Sequence, residues 1–144
     1  MYSCWKALPN NTVHMASDGS HIPETDYGAG AAVMKNENCT EEAVIRVGGK
    51  CSATLGMPSL TSEQVGIISA LLLLHIICLK YGSPSKPSVV HLWIDNAEAL
   101  RRVTTRATDD LRLKSYGARD HGDMQLMRHL HDVLPSNMHV KYKK

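Results

Sequence analysis

Apolar and polar positions change their period several times along the chain, and each change marks an element. The run Thr12-Val13-His14-Met15-Ala16-Ser17 reads as a strand that stops in a turn at Asp18-Gly19-Ser20. Tyr27 to Lys35 is a strand of small residues, and Ala43-Val44-Ile45-Arg46-Val47, ahead of Gly48-Gly49, is a third. The links between these runs are short enough to make them an antiparallel meander. Beyond Gly56-Met57-Pro58 the period becomes helical. Thr61 and Gln64 make a capping box with Leu60 stapled on Val65, so the spacing predicts a helix from about Ser62 to about Lys80, stopped by Tyr81-Gly82-Ser83-Pro84. Apolar residues on most of its sides predict that it is buried. Val89 to Ile94 is a fourth strand ending at Asp95, and a short helix, Ala97 to about Thr104, follows at once. Thr105 to His121 is polar and poorly periodic, Asp123 to Leu134 returns to helical spacing, and Met138 to Lys143 alternates as a last strand. Helices between strands require parallel crossovers. The expected class is therefore α/β, a five-stranded mixed sheet in the order 3-2-1-4-5 with helices on both faces. Residues 1–11 read as a lead-in or linker and 12–144 as the domain.

Composition narrows the class. A chain of 144 residues, 43% hydrophobic and 21% charged, has room for one core and is too apolar to be disordered. Its longest apolar stretch, Ile67 to Leu79, is broken by Ser69 and His75 and falls short of the roughly 18 residues of a bilayer span, so no membrane crossing is expected. The first dozen residues carry Lys6 but no continuous apolar run, which argues against a secretory signal and for an intracellular setting. Cys4, Cys39, Cys51 and Cys78 show neither C-x-x-C nor zinc-type spacing and read as free thiols, although a Cys39–Cys51 bridge across a hairpin is open to the geometry. Charge is uneven: residues 1–98 hold 6 Lys+Arg against 9 Asp+Glu, and residues 99–144 hold 10 against 5. An acidic front with a basic back suits carboxylates that hold cations beside a surface that meets phosphate.

Three acids stand at comparable places: Asp18 at the end of the first strand, Glu63 in the first turn of the long helix, and Asp95 at the end of the fourth strand. If the first and fourth strands are parallel neighbours, Asp18 and Asp95 leave the sheet at its carboxyl edge, where α/β folds place ligands. Carboxylates gathered in one cleft repel unless a divalent cation neutralises them, and hard oxygen donors favour Mg²⁺ or Mn²⁺. Each acid also has an ordinary structural role open to it. Asp18 can serve a turn, Glu63 can face the helix dipole, and Asp95 can cap the helix that starts near Ala97.

With these residues in view, the sequence resembles the ribonuclease H domain of the type 1 and retroelement group. Ser17-Asp18-Gly19-Ser20, Tyr27-Gly28-Ala29-Gly30, Glu63 followed by Gly66, Ala70 and Leu71, and Trp93-Ile94-Asp95-Asn96-Ala97-Glu98-Ala99-Leu100 carry the likeness, which covers about Val13 to Lys144. The resemblance implies a ribonuclease H-like fold and a metal-dependent endonuclease that cuts the RNA strand of RNA–DNA hybrids, as part of a retroelement polyprotein with an upstream reverse transcriptase domain. It implies two Mg²⁺ or Mn²⁺ ions, with Asp18 bridging them and Glu63 and Asp95 completing the ion on the leaving-group side. It implies further that Gly19, Ser20 and Asn96 contact nucleic acid. By charge alone, Arg101, Arg102, Arg106, Arg112 and Lys114 are the expected phosphate contacts. The family pattern continues past the last strand with a Gly-His loop, a fourth acid and a closing helix. The sequence ends at Lys144 before these, and Asp120 and Asp123 precede the last predicted helix, so neither holds the fourth acid's place in order. The alternative expectation is a catalytically inactive domain of the same fold that binds nucleic acid or another domain.

Overall fold

The computed structural model describes residues 12–25, 27–35, 42–50, 58–83, 87–104 and 118–144. Five strands, β1 (Thr12–His21), β2 (Tyr27–Lys35), β3 (Glu42–Lys50), β4 (Ser88–Ile94) and β5 (Met138–Lys143), form one sheet in the order β3-β2-β1-β4-β5. The β1/β2 and β2/β3 pairs are antiparallel and the β1/β4 and β4/β5 pairs parallel, as the meander and the crossovers require. Three helices, α1 (Pro58–Tyr81), α2 (Ala97–Thr104) and α3 (Ala118–Asp132), supply the crossovers.

One side of the sheet carries the core. Val13 and Met15 of β1, Ala32 and Met34 of β2, and Val90, Leu92 and Ile94 of β4 form a single cluster with Ile67, Ala70, Leu71 and Leu74 of α1 and Met124, Met127 and Leu130 of α3. Among the described residues the three helices also contact one another, α1 with both α2 and α3 and α2 with α3. Strand residues of the opposite parity turn outward instead: His14 and His91 stack with ring centroids 5.3 Å apart, and Trp93 lies beneath the Lys143 ammonium, 5.4 Å from its ring centroid.

Several boundaries differ from expectation for physical reasons. β1 does not turn at Asp18-Gly19-Ser20; it runs on to His21, held by β2 through the pairs Asp18↔Ala31, Gly19↔Gly30 and Ser20↔Ala29. α1 starts at Pro58 rather than Ser62, which puts Gln64 inside the helix, where its side chain bonds to other helices instead of closing a capping box. α3 starts at Ala118, within the stretch read as polar and aperiodic, so Asp123 is an interior residue of the helix. α1 is also long and apolar enough over Thr61–Tyr81 to cross a membrane, against the expectation, because a helix tolerates Ser69 and His75 without losing its apolar average; 56% of that window is buried in the fold, as in a core helix. His75 is satisfied there, its Nε2 donating to the Leu130 carbonyl at 2.7 Å. The half-buried Cys78 is a free thiol, and Cys4, Cys39 and Cys51 lie outside the described residues.

Candidate active site

The register of the two central strands brings two of the acids together. Ser17↔Ile94 is the last pair of the parallel β1/β4 ladder, so the next residues, Asp18 and Asp95, leave adjoining strands at the same edge. Glu63 comes from above, on α1, and the approach is close because glycines line it. A Cβ on Gly66 would stand 2.6 Å from the Asp18 carbonyl oxygen, a Cβ on Gly19 would strike the Ser62–Glu63 backbone, and one on Gly30 would strike Gly66. The helix backbone therefore lies directly on β1 and β2 at the end where the acids stand.

The electrostatics of Glu63 show the crowding. Burial raises its carboxyl above the usual glutamate value, the nearby Asp18 charge raises it further, the Gly19 amide opposes the shift, and Asp95 adds to it. One of its oxygens, Oε2, is buried without a hydrogen-bond partner. The donor set, three carboxylates with an unsatisfied buried oxygen, fits a hard divalent cation by its chemistry. Among the described residues, no three His, Cys, Asp or Glu side chains stand close enough to share one ion as they are placed.

Each ordinary role available to these acids is filled or removed by the fold. The strand continues through Asp18, whose Oδ1 accepts only the local Gly19 amide at 2.9 Å. With α1 starting at Pro58, Glu63 lies beyond its first turn, where a charge gains little from the dipole. The cap of α2 falls to Asn96, whose Oδ1 accepts from the Ala99 amide at 2.9 Å, and not to Asp95.

The remaining candidates separate. Gly19 and the exposed Ser20 lie beside the acids on β1. Asn96 is occupied as the cap. Arg101 remains partly exposed and is held by Glu98, with Nη2 to Oε1 at 2.6 Å. Arg102, expected at a phosphate-contact surface, is 4% exposed, so that expectation is corrected. Its Nη1 donates to Gln64 Oε1 at 2.9 Å and its Nε to Glu98 Oε1 at 3.1 Å. Gln64, 0% exposed, donates in turn to Asp123 Oδ2 at 3.4 Å. Sequence reading missed Gln64 and Glu98 as members of this cluster. The available signals were a lone amide in an apolar helix and the i, i+4 spacing of Glu98 and Arg102. Arg106, Arg112, Lys114 and the Asp120 side chain lie outside the described residues.

Sheet order, crossover pattern and the position of α1 define a ribonuclease H-like fold. Among solved structures, the chain is similar to LC11-RNase H1, isolated from compost by a metagenomic approach, at 15% identity over 92% of this chain and 84% of that one, with a TM-score of 0.62. The same enzyme in complex with an RNA/DNA hybrid matches at 13% identity over 90% and 83%, with a TM-score of 0.58. The N-terminal RNase H domain of Rv2228c from Mycobacterium tuberculosis matches at 12% identity over 92% and 85%, with a TM-score of 0.50. Scans of the sequence against protein-family models and against curated proteins give no match.

Proposed function

We propose that the chain is a metal-dependent endonuclease of the ribonuclease H type, hydrolysing the RNA strand of RNA–DNA hybrids, and that it works inside the cell as part of a retroelement polyprotein beside a reverse transcriptase domain. One observation carries the reading: Asp18, Glu63 and Asp95 are brought to one edge of the sheet while the turn, dipole and cap that would otherwise explain them are absent or served by other residues. Solved structures of the same fold include one bound to an RNA/DNA hybrid, which supports this choice of substrate. Asp18, Glu63 and Asp95 would hold Mg²⁺ or Mn²⁺. When bound, such ions supply an activated water and stabilise the leaving 3′ oxygen. Asp18 would contribute its carboxylate from the central strand. Glu63 would accept a hydrogen bond from a ribose 2′-hydroxyl, the group that separates RNA from DNA. The exposed Ser20, two residues beyond Asp18, would contact a bound strand, while the Gly19 amide is engaged by Asp18.

The placement of the three acids, not yet close enough for one ion, favours a second reading in which the domain binds hybrid without cutting it. A cleavage assay separates the two. The full chain with a labelled RNA–DNA hybrid and Mg²⁺ or Mn²⁺ is expected to release RNA fragments, and Asp18→Asn to abolish release while retaining a cooperative unfolding transition. Hybrid binding without cleavage under both ions would establish the second reading, and cleavage by Asp18→Asn would remove that residue from the site.

A further inference from the structure

We propose that the buried Arg102 guanidinium, bonded at once to Gln64 and Glu98, is a positioning device that sets where the Glu63 carboxylate stands relative to Asp95. The inference rests on the reading of Asp18, Glu63 and Asp95 as cation ligands. Gln64 is the residue next to Glu63, and α2, which carries both Glu98 and Arg102, begins two residues after Asp95. One side chain therefore bridges the two segments that deliver these acids, with Nη1 to Gln64 Oε1 at 2.9 Å and Nε to Glu98 Oε1 at 3.1 Å. The Gln64 amide extends the tie to Asp123 of α3 at 3.4 Å, so all three helices meet in one polar cluster beside the apolar core.

Apolar side chains of the same volume would hold these helices together as well or better, because a buried charge costs desolvation that its partners only partly return. What an apolar contact lacks is direction. A guanidinium is a planar fork with donors at fixed angles, so a slide or rotation of α1 against α2 breaks its bonds, whereas leucines would let the helices shift. Groups that orient ligands from behind in this way are commonly worth a large factor in metal affinity.

The test is isothermal titration of Mg²⁺ and Mn²⁺ into the full metal-free chain, well below the unfolding temperature of every variant, so the readout does not depend on turnover. Arg102→Met is expected to weaken cation binding about tenfold or more, and Arg102→Lys, which keeps the charge but not the fork, to restore part of it. Met127→Ala, a core truncation under α3, controls for lost stability and is expected to bind cation like the wild type. If Arg102→Met does not fold, Glu98→Gln, at a partly exposed position, takes its place with a loss of several-fold. Wild-type affinity in whichever of these folds overturns the proposal. A wild type that binds neither ion, or binds them exactly as Asp18→Asn does, instead sinks the ligand reading, and the positioning role falls with it.

Discussion

Replacing Gly66 by alanine inverts the usual sign of a glycine-to-alanine change in a helix. In an ordinary helix interior the substitution stabilises by about 1 kcal/mol, since alanine loses less backbone entropy. At Gly66 the new Cβ would stand 2.6 Å from the Asp18 carbonyl oxygen, 3.1 Å from its carbonyl carbon and 3.3 Å from its nitrogen, all backbone atoms that cannot swing away. Ordinary contact starts at 3.4 Å, so α1 must lift from β1 by about 0.8 Å. Forced overpacking of this kind costs about 1–3 kcal/mol. Set against the propensity gain, a net loss of up to about 2 kcal/mol remains, or up to roughly 4–8 °C in Tm for a domain of this size. The shift falls where Glu63 meets Asp18, and misplacement on the order of 1 Å costs about 100-fold in rate, so cleavage should suffer far more than stability. Gly122 of α3 is the matched control: a Cβ there meets nothing within 4 Å, so Gly122→Ala should stabilise by up to about 1 kcal/mol. Thermal and urea unfolding of the two variants decide the matter. A Gly66→Ala protein stabilised as much as Gly122→Ala would mean that α1 does not rest on the backbone of β1.

Three further outcomes follow from the same geometry. Because the Glu63 carboxyl is raised above its ordinary value of about 4.5, its ionised form opposes folding; Glu63→Gln should raise Tm at neutral pH in EDTA, and the gain should vanish as pH falls toward 4.5, which a pH series of melts will follow. Glu98 is shifted the other way, down to about 2, first by the Arg101 hydrogen bonds and then by Arg102, against the effect of burial. The stability it contributes is complete above 4.5 and is lost as pH falls toward 2, so Glu98→Gln should flatten the acid limb of the stability profile. Asn96→Ala should cost about 1 kcal/mol by uncapping α2, and urea unfolding with no loss would show the cap to be dispensable.

The sheet was legible in sequence because its order follows from local facts. Short links make a meander, helical spacers make parallel crossovers, and β5 and α2 are observed at the limits their patterns predict. The errors arose where a residue serves a distant neighbour. Asp18-Gly19-Ser20 has the composition of a turn, yet Gly19 is small to admit the backbone of α1, and β1 continues beneath it. Thr61 and Gln64 have the spacing of a capping box, yet Gln64 answers to Arg102 from another helix. Arg102 has the charge of a surface residue, yet two partners, one of them 38 positions away, satisfy it inside the fold. None of these partners lies within the window that period and capping rules inspect. The edge shared by Asp18 and Asp95 was legible for the converse reason, since it follows from strand adjacency alone.

The features around the candidate site share a direction in free energy. A carboxylate oxygen buried without a partner, like charges gathered at one sheet edge, and a guanidinium held away from water each cost the folded state stability. Elsewhere the chain follows the rules of an ordinary core, with Ile67, Leu71, Leu74, Leu92 and Met127 buried in a continuous apolar layer. A cation bound between the acids would remove their repulsion and give the orphaned oxygen a partner. The Tm gain from Mg²⁺ in the wild type should therefore exceed that in Asp18→Asn or Asp95→Asn, and these variants should be the more stable proteins when no metal is present. Equal responses in all three would separate the fold from the site, leaving a ribonuclease H-like scaffold whose acids do not act together.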